Sequence, residues 1–138
     1  MRIGIEGQRL FRLEKHGMDI VAIELIKHLQ KIDLENEYFI FVKDGNSDQW
    51  FTPTDNFHLV RTKKASYHVW EQIILPREVK RYKIDILHCT SNTAPIWLSV
   101  PTVLTLHDII YLENFKFVSF QSTLDQLIGN FYRRFVVP

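Results

Sequence analysis

Two short runs in the second half of the chain, residues 85–89 and 102–108, constrain its fold more than any other feature. Each is nearly continuous in apolar character over a short length, which is typical of strands buried on both faces of a parallel sheet. Three earlier runs rich in apolar, aromatic or β-branched residues predict further strands, at residues 3–6, 38–42 and 56–62.

The segments between these strands have helical periodicity. From Gly17 onward an apolar stripe predicts a helix of about four turns, formed by Met18, Val21, Ala22, Leu25, Leu29 and Ile32. A second helix is predicted over residues 66–82, with an apolar side formed by Trp70, Ile73, Ile74 and Val79. We expect Pro76 to break or kink that helix, because proline lacks a backbone donor and clashes with the preceding turn. A third helix is predicted over residues 119–137.

Strands that alternate with helices predict an α/β fold, with a Rossmann-like, doubly wound and mostly parallel sheet that carries helices on both faces. The chain has 138 residues, the length of one domain and not of two. No strand follows the last predicted helix, so we expect the sheet to be incomplete at its C-terminal side.

Charge and composition exclude several classes of protein. The chain carries 17 Lys and Arg against 16 Asp and Glu, a net charge of +1, which lacks the basic excess expected of a nucleic-acid-binding domain. Neither a secretory signal nor an apolar run long enough for a membrane helix is found. We therefore predict a soluble cytoplasmic domain with no nucleic-acid partner.

Cysteine and histidine usage argues against disulfides and metals. Cys89 is the single cysteine, so an internal disulfide and a cysteine-based zinc site are excluded, and a reducing compartment is indicated. We expect Cys89 to be a small buried filler. The spacing between the histidines is not one that metal sites use, so no metal site is predicted from His16, His28, His58 and His68.

The carboxyl ends of parallel strands indicate where a ligand would bind. In an open parallel sheet the site lies outside these ends, at the point where the strand order reverses. Three strands of the predicted sheet bring polar residues there, and we expect their loops to converge on one crevice. The selected residues are Glu6, Gly7, Gln8 and Arg9 after the first strand, Cys89, Thr90, Ser91 and Asn92 after the fourth, and His107 and Asp108 after the fifth.

Two glycines of the first loop have a functional and a structural interpretation. Gly7 could let the backbone approach a ligand closely, or it could be a plain turn residue. Gly17 begins the first helix, whose backbone donors could receive a phosphate. Arg9, Arg12 and Lys15 would add positive charge there, although the same residues are equally typical of a solvated basic loop.

His107 is the sharpest catalytic candidate. It follows a short apolar strand and should lie at the rim of the sheet, where an imidazole can exchange protons near neutral pH. Asp108 could orient His107 or cap the following turn. The alternative interpretation of His107 is a structural histidine bonded to the backbone, and we expect His88, within a strand, to be structural.

These residues resemble the amino-terminal half of a glycosyltransferase of family 4, with the GT-B fold. The resemblance extends over nearly the whole chain in order and spacing, and its most specific motif is Thr105-Leu-His-Asp108. The matching stretches are residues 1–10, 15–25, 85–92, 101–112 and 132–135.

The resemblance implies two Rossmann-like domains facing a cleft, of which residues 1–138 would be the amino-terminal one. The other domain would grip a nucleotide-sugar donor, and the sugar would pass with retention of configuration to a glycan or lipid-linked acceptor in polysaccharide biosynthesis. His107 would contact the transferred sugar, and the loop at Gly17 would approach the donor diphosphate. Thr90, Ser91 and Asn92 would line the acceptor side. Neither a metal nor another cofactor is implied.

The sequence departs from the family pattern at two points. Asp19 stands where the family often has a glycine, and a carboxylate beside a diphosphate is unfavourable unless it points away. The 138 residues also contain no second, carboxy-terminal donor-binding domain. We therefore expect this polypeptide alone to have no transferase activity.

Two other functions remain open. The chain could be a non-catalytic α/β module that binds a partner or self-associates through an open sheet edge, or a small-molecule-binding Rossmann domain of another family, although no cofactor fingerprint is found. Residues 115–120 and the last helix leave a peripheral contact with the inner face of a membrane open. The polar side of that helix favours core packing instead, since it carries Gln121, Asp125, Gln126 and Asn130.

Overall fold

Five parallel strands form the sheet in the part of the chain that the computed structural model describes, residues 1–10, 14–43 and 51–108. The strand order is β3-β2-β1-β4-β5. The strands are β1 (Arg2–Glu6), β2 (Glu37–Lys43), β3 (Phe57–Thr62), β4 (Ile86–Cys89) and β5 (Thr102–Leu104). All four pairings are parallel, which confirms the predicted α/β sheet.

One face of the sheet is covered by α1 (Gly17–Ile32), the predicted first helix. The buried face of α1 differs from the predicted stripe. Ala22, Ile23 and Ile26 pack on the sheet, whereas Ile32 is 77% exposed and Val21 is also exposed. Because apolar residues occur on both sides of this helix, its periodicity predicted the helix correctly, but only packing against β1 and β2 decides which side is buried.

The opposite face is covered by three consecutive helical pieces. They are α2 (Tyr67–Val69), a π-helical turn (Trp70–Ile74) and α3 (Leu75–Arg81). Pro76 is the second residue of α3, so the helical segment predicted over residues 66–82 is irregular just before the proline but is not ended by it. Trp70 and Val79 are buried as predicted, whereas Ile73 is exposed.

The two strands that most constrained the fold differ in burial. Leu87 and Cys89 of β4 are fully buried, and the other two residues of that strand are half-buried. In β5, which is shorter than predicted, Thr102 is exposed and Val103 is 49% exposed. The prediction that both strands are buried on both faces is therefore wrong for β5, which pairs only with β4 among the described residues.

Some predictions lie outside the described residues. These are the helix over residues 119–137, the stretch at residues 115–120 and the basic side chain of Arg12. Within the described ranges, no helix combines the length and the apolar character needed to cross a membrane.

Candidate functional site

The strand order reverses between β1 and β4, and the loops after these two strands lie side by side. Glu6 pairs with Cys89 at the carboxyl ends of the strands. The hydroxyl of Thr90 donates to the backbone oxygen of Glu6 at 3.0 Å, which joins the two loops directly. We refer to residues 7–10 as the β1 loop and to residues 90–96 as the β4 loop. Their contact lies at the switch point predicted to hold a ligand.

Gly7 is required by close packing against β2. Its backbone N–H donates to the oxygen of Phe41 at 2.9 Å. A Cβ at Gly7 would lie 2.9 Å from Cγ2 of Ile40 and 3.0 Å from the Phe41 oxygen. Gly7 is buried, and this steric demand accounts for a glycine there.

Gln8 and Arg9 follow with polar atoms that no described residue engages. The backbone N–H of Gln8 donates to Oε1 of Glu6 at 2.8 Å, but its side chain is only 8% exposed and both amide atoms lack a partner among the described residues. Nε of Arg9 likewise has no hydrogen-bond partner among the residues that the structure describes, while Nη1 of Arg9 contacts Sδ of Met18 at 3.3 Å. The guanidinium of Arg9 lies over the ring of Tyr67, 5.6 Å from its centroid. Buried polar atoms are normally hydrogen-bonded, so these atoms could bind a ligand.

The start of α1 is open at Gly17. A Cβ added there would meet nothing within 4 Å. Asp19 is buried, and its Oδ2 accepts from the backbone N–H of His16 at 2.9 Å, so this carboxylate caps its own helix. The Lys15 ammonium donates to the Leu10 oxygen at 3.2 Å.

The polar side chains of the β4 loop are buried, which the sequence analysis did not predict. Thr90, Ser91, Asn92 and Thr93 are all buried. Asn92 has a φ of 62°, a left-handed conformation that asparagine tolerates better than most residues. Its backbone N–H donates to the oxygen of Thr105 at 3.1 Å, which links the loop to the chain after β5.

His107 is held by the β4 loop through two hydrogen bonds. Its backbone N–H donates to Oδ1 of Asn92 at 2.6 Å, and its ring Nε2 lies 3.0 Å from the oxygen of Thr90. A carbonyl oxygen can only accept, so Nε2 carries a proton, and in the neutral form of the ring Nδ1 is then the nitrogen with the lone pair. The side chain of Asp108 makes no hydrogen bond to the imidazole, and its Oδ2 instead lies 3.5 Å from Nδ2 of Asn92.

His88 belongs to the packing behind this site. Its Nε2 lies 2.8 Å from the hydroxyl of Thr105, and burial lowers the pKa of the imidazole. A cavity of about 20 Å³, enough for about one water molecule, lies beside it. The cavity is lined by Val21, Ala22, Leu25, His88, Thr90, Thr105 and His107.

Two buried glutamates form a polar cluster beneath the two loops. Burial, reinforced by the nearby charge of Glu71, raises the pKa of Glu6 to about 7. Glu71 is 1% exposed and accepts hydrogen bonds from the hydroxyls of Tyr67, at 3.1 Å, and of Thr93. The sequence analysis placed Glu6 at this edge without a role and did not select Glu71. The available signal was a glutamate next to a core tryptophan, Trp70, in a predicted helix.

Residues that could bind a metal are scattered. No group of three or more His, Cys, Asp or Glu able to hold a metal ion occurs within the described ranges. Cys89 is buried, and this burial raises the pKa of its thiol. Its position in the core between the sheet and α3 agrees with the predicted role of a small filler.

Comparison with known proteins identifies the family. The family model of Glycosyltransferase Family 4 matches residues 16–138, which is most of the chain. The chain therefore belongs to glycosyltransferase family 4, and the resemblance identified from its residues is confirmed. No match was found among the curated proteins or among the solved structures.

Proposed function

We propose that this member of glycosyltransferase family 4 supplies the acceptor-side half of a retaining transferase with the GT-B fold. The reaction would move a sugar from a nucleotide-sugar donor to a hydroxyl group of a glycan or of a lipid-linked acceptor. The observation that most supports this proposal is the convergence of the β1 loop, the β4 loop and His107 at the switch point of the sheet. In parallel α/β sheets this is where ligands bind.

The two loops would divide the binding of substrate between them. Gln8 and Arg9 of the β1 loop would bind sugar hydroxyls or phosphate oxygens through the polar atoms that lack a partner in the part of the chain the structure describes. Thr90, Ser91 and Asn92 would form the wall on the acceptor side. Such an arrangement accelerates transfer mainly by holding the acceptor hydroxyl and the sugar in the reactive geometry.

His107 and Asp108 would act closest to the reacting sugar. With Nε2 bound to Thr90, the ring would present Nδ1 to a sugar hydroxyl. Asp108 is exposed next to Asn92 and would act from the acceptor side. Positioned groups of this kind stabilise charge that develops when the donor phosphate leaves.

The open first turn of α1 would approach the donor diphosphate. Gly17 leaves space at this helix end, and the Asp19 carboxylate is already engaged with the backbone of His16. Backbone donors at a helix N-terminus bind anions readily. Gly7 would contribute indirectly, by letting the β1 loop pack close to β2.

Donor nucleotide binding is proposed to belong to a second domain, as in the family. We propose that residues 1–138 alone do not turn over a nucleotide-sugar, and that the complete enzyme needs neither a metal nor another cofactor. The proposed setting is polysaccharide assembly in the cytoplasm, with a peripheral contact at the inner face of the membrane as a further possibility.

The test begins by following the reading frame past the codon for Pro138 and producing the whole encoded protein. That protein and residues 1–138 are each incubated with UDP- and GDP-sugars, and release of nucleoside diphosphate is measured with and without EDTA. We expect EDTA-resistant release by the whole protein, loss of release in His107→Ala, and no release by residues 1–138. Turnover by residues 1–138 alone would contradict the two-domain proposal.

A second candidate function is a binding or assembly module that pairs through the edge of its sheet. The exposed residues Thr102 and Val103 of β5 favour it, because an exposed strand edge readily pairs with another chain. Sedimentation of the chain distinguishes the two candidates. Self-association that is abolished by Val103→Lys, without any effect of nucleotide-sugars, would favour the assembly module.

A further inference from the structure

The β4 loop is bonded to two neighbouring side chains of the π-helical turn. Oε1 of Gln72 accepts from the backbone N–H of Ile96 at 2.9 Å, and its Nε2 donates to the oxygen of Ala94 at 3.2 Å. Glu71, one residue earlier, accepts from the hydroxyl of Thr93. Three positions along the loop are thus fixed by two consecutive residues of one helical segment. The loop and this segment are more than 20 residues apart in sequence.

The π-helical turn is itself anchored to the sheet. Trp70 is fully buried, and its Nε1 donates to the hydroxyl of Thr62 at 2.6 Å. The same hydroxyl donates to the oxygen of Val42 at 2.9 Å. The side chains that hold the β4 loop therefore project from a segment fixed to both β2 and β3.

Glu71 and Gln72 lie side by side in the wide turn, where Nε2 of Gln72 donates to Oε2 of Glu71 at 3.3 Å. The backbone N–H of Leu75 donates to the oxygen of Trp70, five residues earlier, instead of four as in an α-helix. Because a π turn contains more residues than an α turn, neighbouring side chains diverge less around the axis. Pro76 follows immediately and would clash with the carbonyl of Gln72 in a regular α-helix, which favours the irregular turn at this place.

The other part of the β4 loop holds His107. The oxygen of Thr90 accepts from the imidazole, and the side chain of Asn92 accepts from the backbone N–H of His107. Hydrogen bonds at both ends of the loop, joined by the backbone from Thr90 to Ile96, therefore connect Glu71 and Gln72 with the imidazole.

We propose that Glu71 and Gln72 are positioning residues, which fix the β4 loop so that Thr90 and Asn92 hold the His107 ring in one orientation. The relevance of this orientation to sugar transfer rests on the proposed function, but the orientation itself is measurable without turnover. Glu71 and Gln72 would not touch the substrate.

The polar character of this attachment suits positioning better than simple packing. An apolar contact would keep the loop buried without fixing the rotation of its peptide groups, whereas a hydrogen bond is directional. The Ala94 oxygen and the Ile96 N–H belong to a segment without strand or helix, so no neighbouring strand fixes them and a side chain can take that place. Gln72 supplies one donor and one acceptor for this purpose.

The test follows the His107 ring and the Asn92 side-chain amide in the 138-residue chain labelled with ¹⁵N-histidine and ¹⁵N-asparagine, using ¹H–¹⁵N correlation spectra that include long-range couplings for the ring. Thr93→Val removes the hydroxyl that Glu71 accepts from but keeps the volume, and Thr93→Ser restores the hydroxyl. Gln72→Ala removes the other attachment. We expect the neutral ring to be protonated at Nε2 in the unmodified chain and in Thr93→Ser. In Thr93→Val and Gln72→Ala we expect the ring signals of His107 to move towards those of a free histidine, with a larger share of the Nδ1–H tautomer, and the side-chain amide signals of Asn92 to shift.

Gln30→Ala provides a matched control, because Gln30 also binds a backbone oxygen through its amide, that of Thr52 at 2.8 Å, but lies on α1. It should leave the His107 signals unchanged. The proposal is overturned if Thr93→Val and Gln72→Ala leave the tautomer ratio and the ring signals of His107 unchanged while remaining folded by circular dichroism. Since the spectra do not depend on turnover, failure of the transferase proposal and failure of this one are distinguishable.

Discussion

The β1 loop and the β4 loop lie against each other at one edge of the sheet, but their polar groups are paired differently. In the β4 loop, Thr93 and Asn92 are bonded to the π-helical turn and to the chain after β5. In the β1 loop, the Gln8 amide and Nε of Arg9 are buried without partners among the described residues. The difference supports the proposed roles of the two loops, in which the β4 loop is pre-organised and the β1 loop would offer its polar atoms to a ligand.

The largest expected effect concerns Trp70, which anchors the π-helical turn behind the β4 loop. Trp70→Ala removes a fully buried indole and its bond to Thr62, and we expect a loss of about 3–5 kcal/mol in the free energy of unfolding. Urea unfolding followed by circular dichroism measures it. Trp97→Ala is the matched control, because Trp97 is 84% exposed and its loss should change stability by less than about 0.5 kcal/mol. Equal effects of the two substitutions on the free energy of unfolding would contradict the anchoring role of Trp70.

The second prediction concerns the buried carboxyl between the two loops. The pKa of Glu6 is raised from 4.5 to about 7, so the folded state binds the proton of this carboxyl more tightly than the unfolded state. The resulting contribution to the free energy of unfolding is fully present below pH 4.5 and is lost as the pH rises through 7. This shift corresponds to about 3 kcal/mol between pH 4.5 and 8.

Glu6→Gln isolates this contribution, because it removes the titrating proton and keeps the shape of the side chain. The lowered pKa of His88 acts in the opposite direction, since that histidine resists protonation in the folded state. We therefore compare unfolding free energies of the unmodified chain and the Glu6→Gln variant at several pH values. A constant difference from pH 4.5 to 8 would exclude a buried carboxyl that titrates near neutrality.

The third prediction tests the close packing of the β1 loop. In Gly7→Ala the new Cβ would lie 2.9 Å from Cγ2 of Ile40 and 3.0 Å from a backbone oxygen of β2. We expect a loss of about 1–3 kcal/mol in the free energy of unfolding. Gly17→Ala, whose Cβ meets nothing within 4 Å, should cause no such loss. If both substitutions were neutral, the steric account of Gly7 would be wrong.

The position of the site was predictable because it follows from topology. Short apolar runs indicated parallel strands, and the rule of the switch point then selected Gln8, Thr90 and His107 from loops that are distant in sequence. The observed strand order brings those loops together.

The hydrogen bonds that hold the loops of the candidate site were not predictable from the sequence. A loop with several polar side chains ordinarily faces solvent, and the burial of Thr93 depends on partners supplied by Glu71 and Gln72 from another segment. In the same way, the buried side of α1 and the exposure of Val103 in β5 depend on which surfaces meet, and not on local periodicity.

The most direct test of the division between the two loops is Gln8→Met in the whole encoded protein, because methionine keeps the volume of Gln8 and removes its amide. The Gln8 amide makes no hydrogen bond to any described residue, so the free energy of unfolding should stay within about 0.5 kcal/mol. Its bonds to substrate would be lost, so we expect kcat/KM for sugar transfer to fall about three- to tenfold. Unchanged kcat/KM in a folded Gln8→Met protein would contradict the account, since the β1 loop would then hold no polar atoms for the substrate.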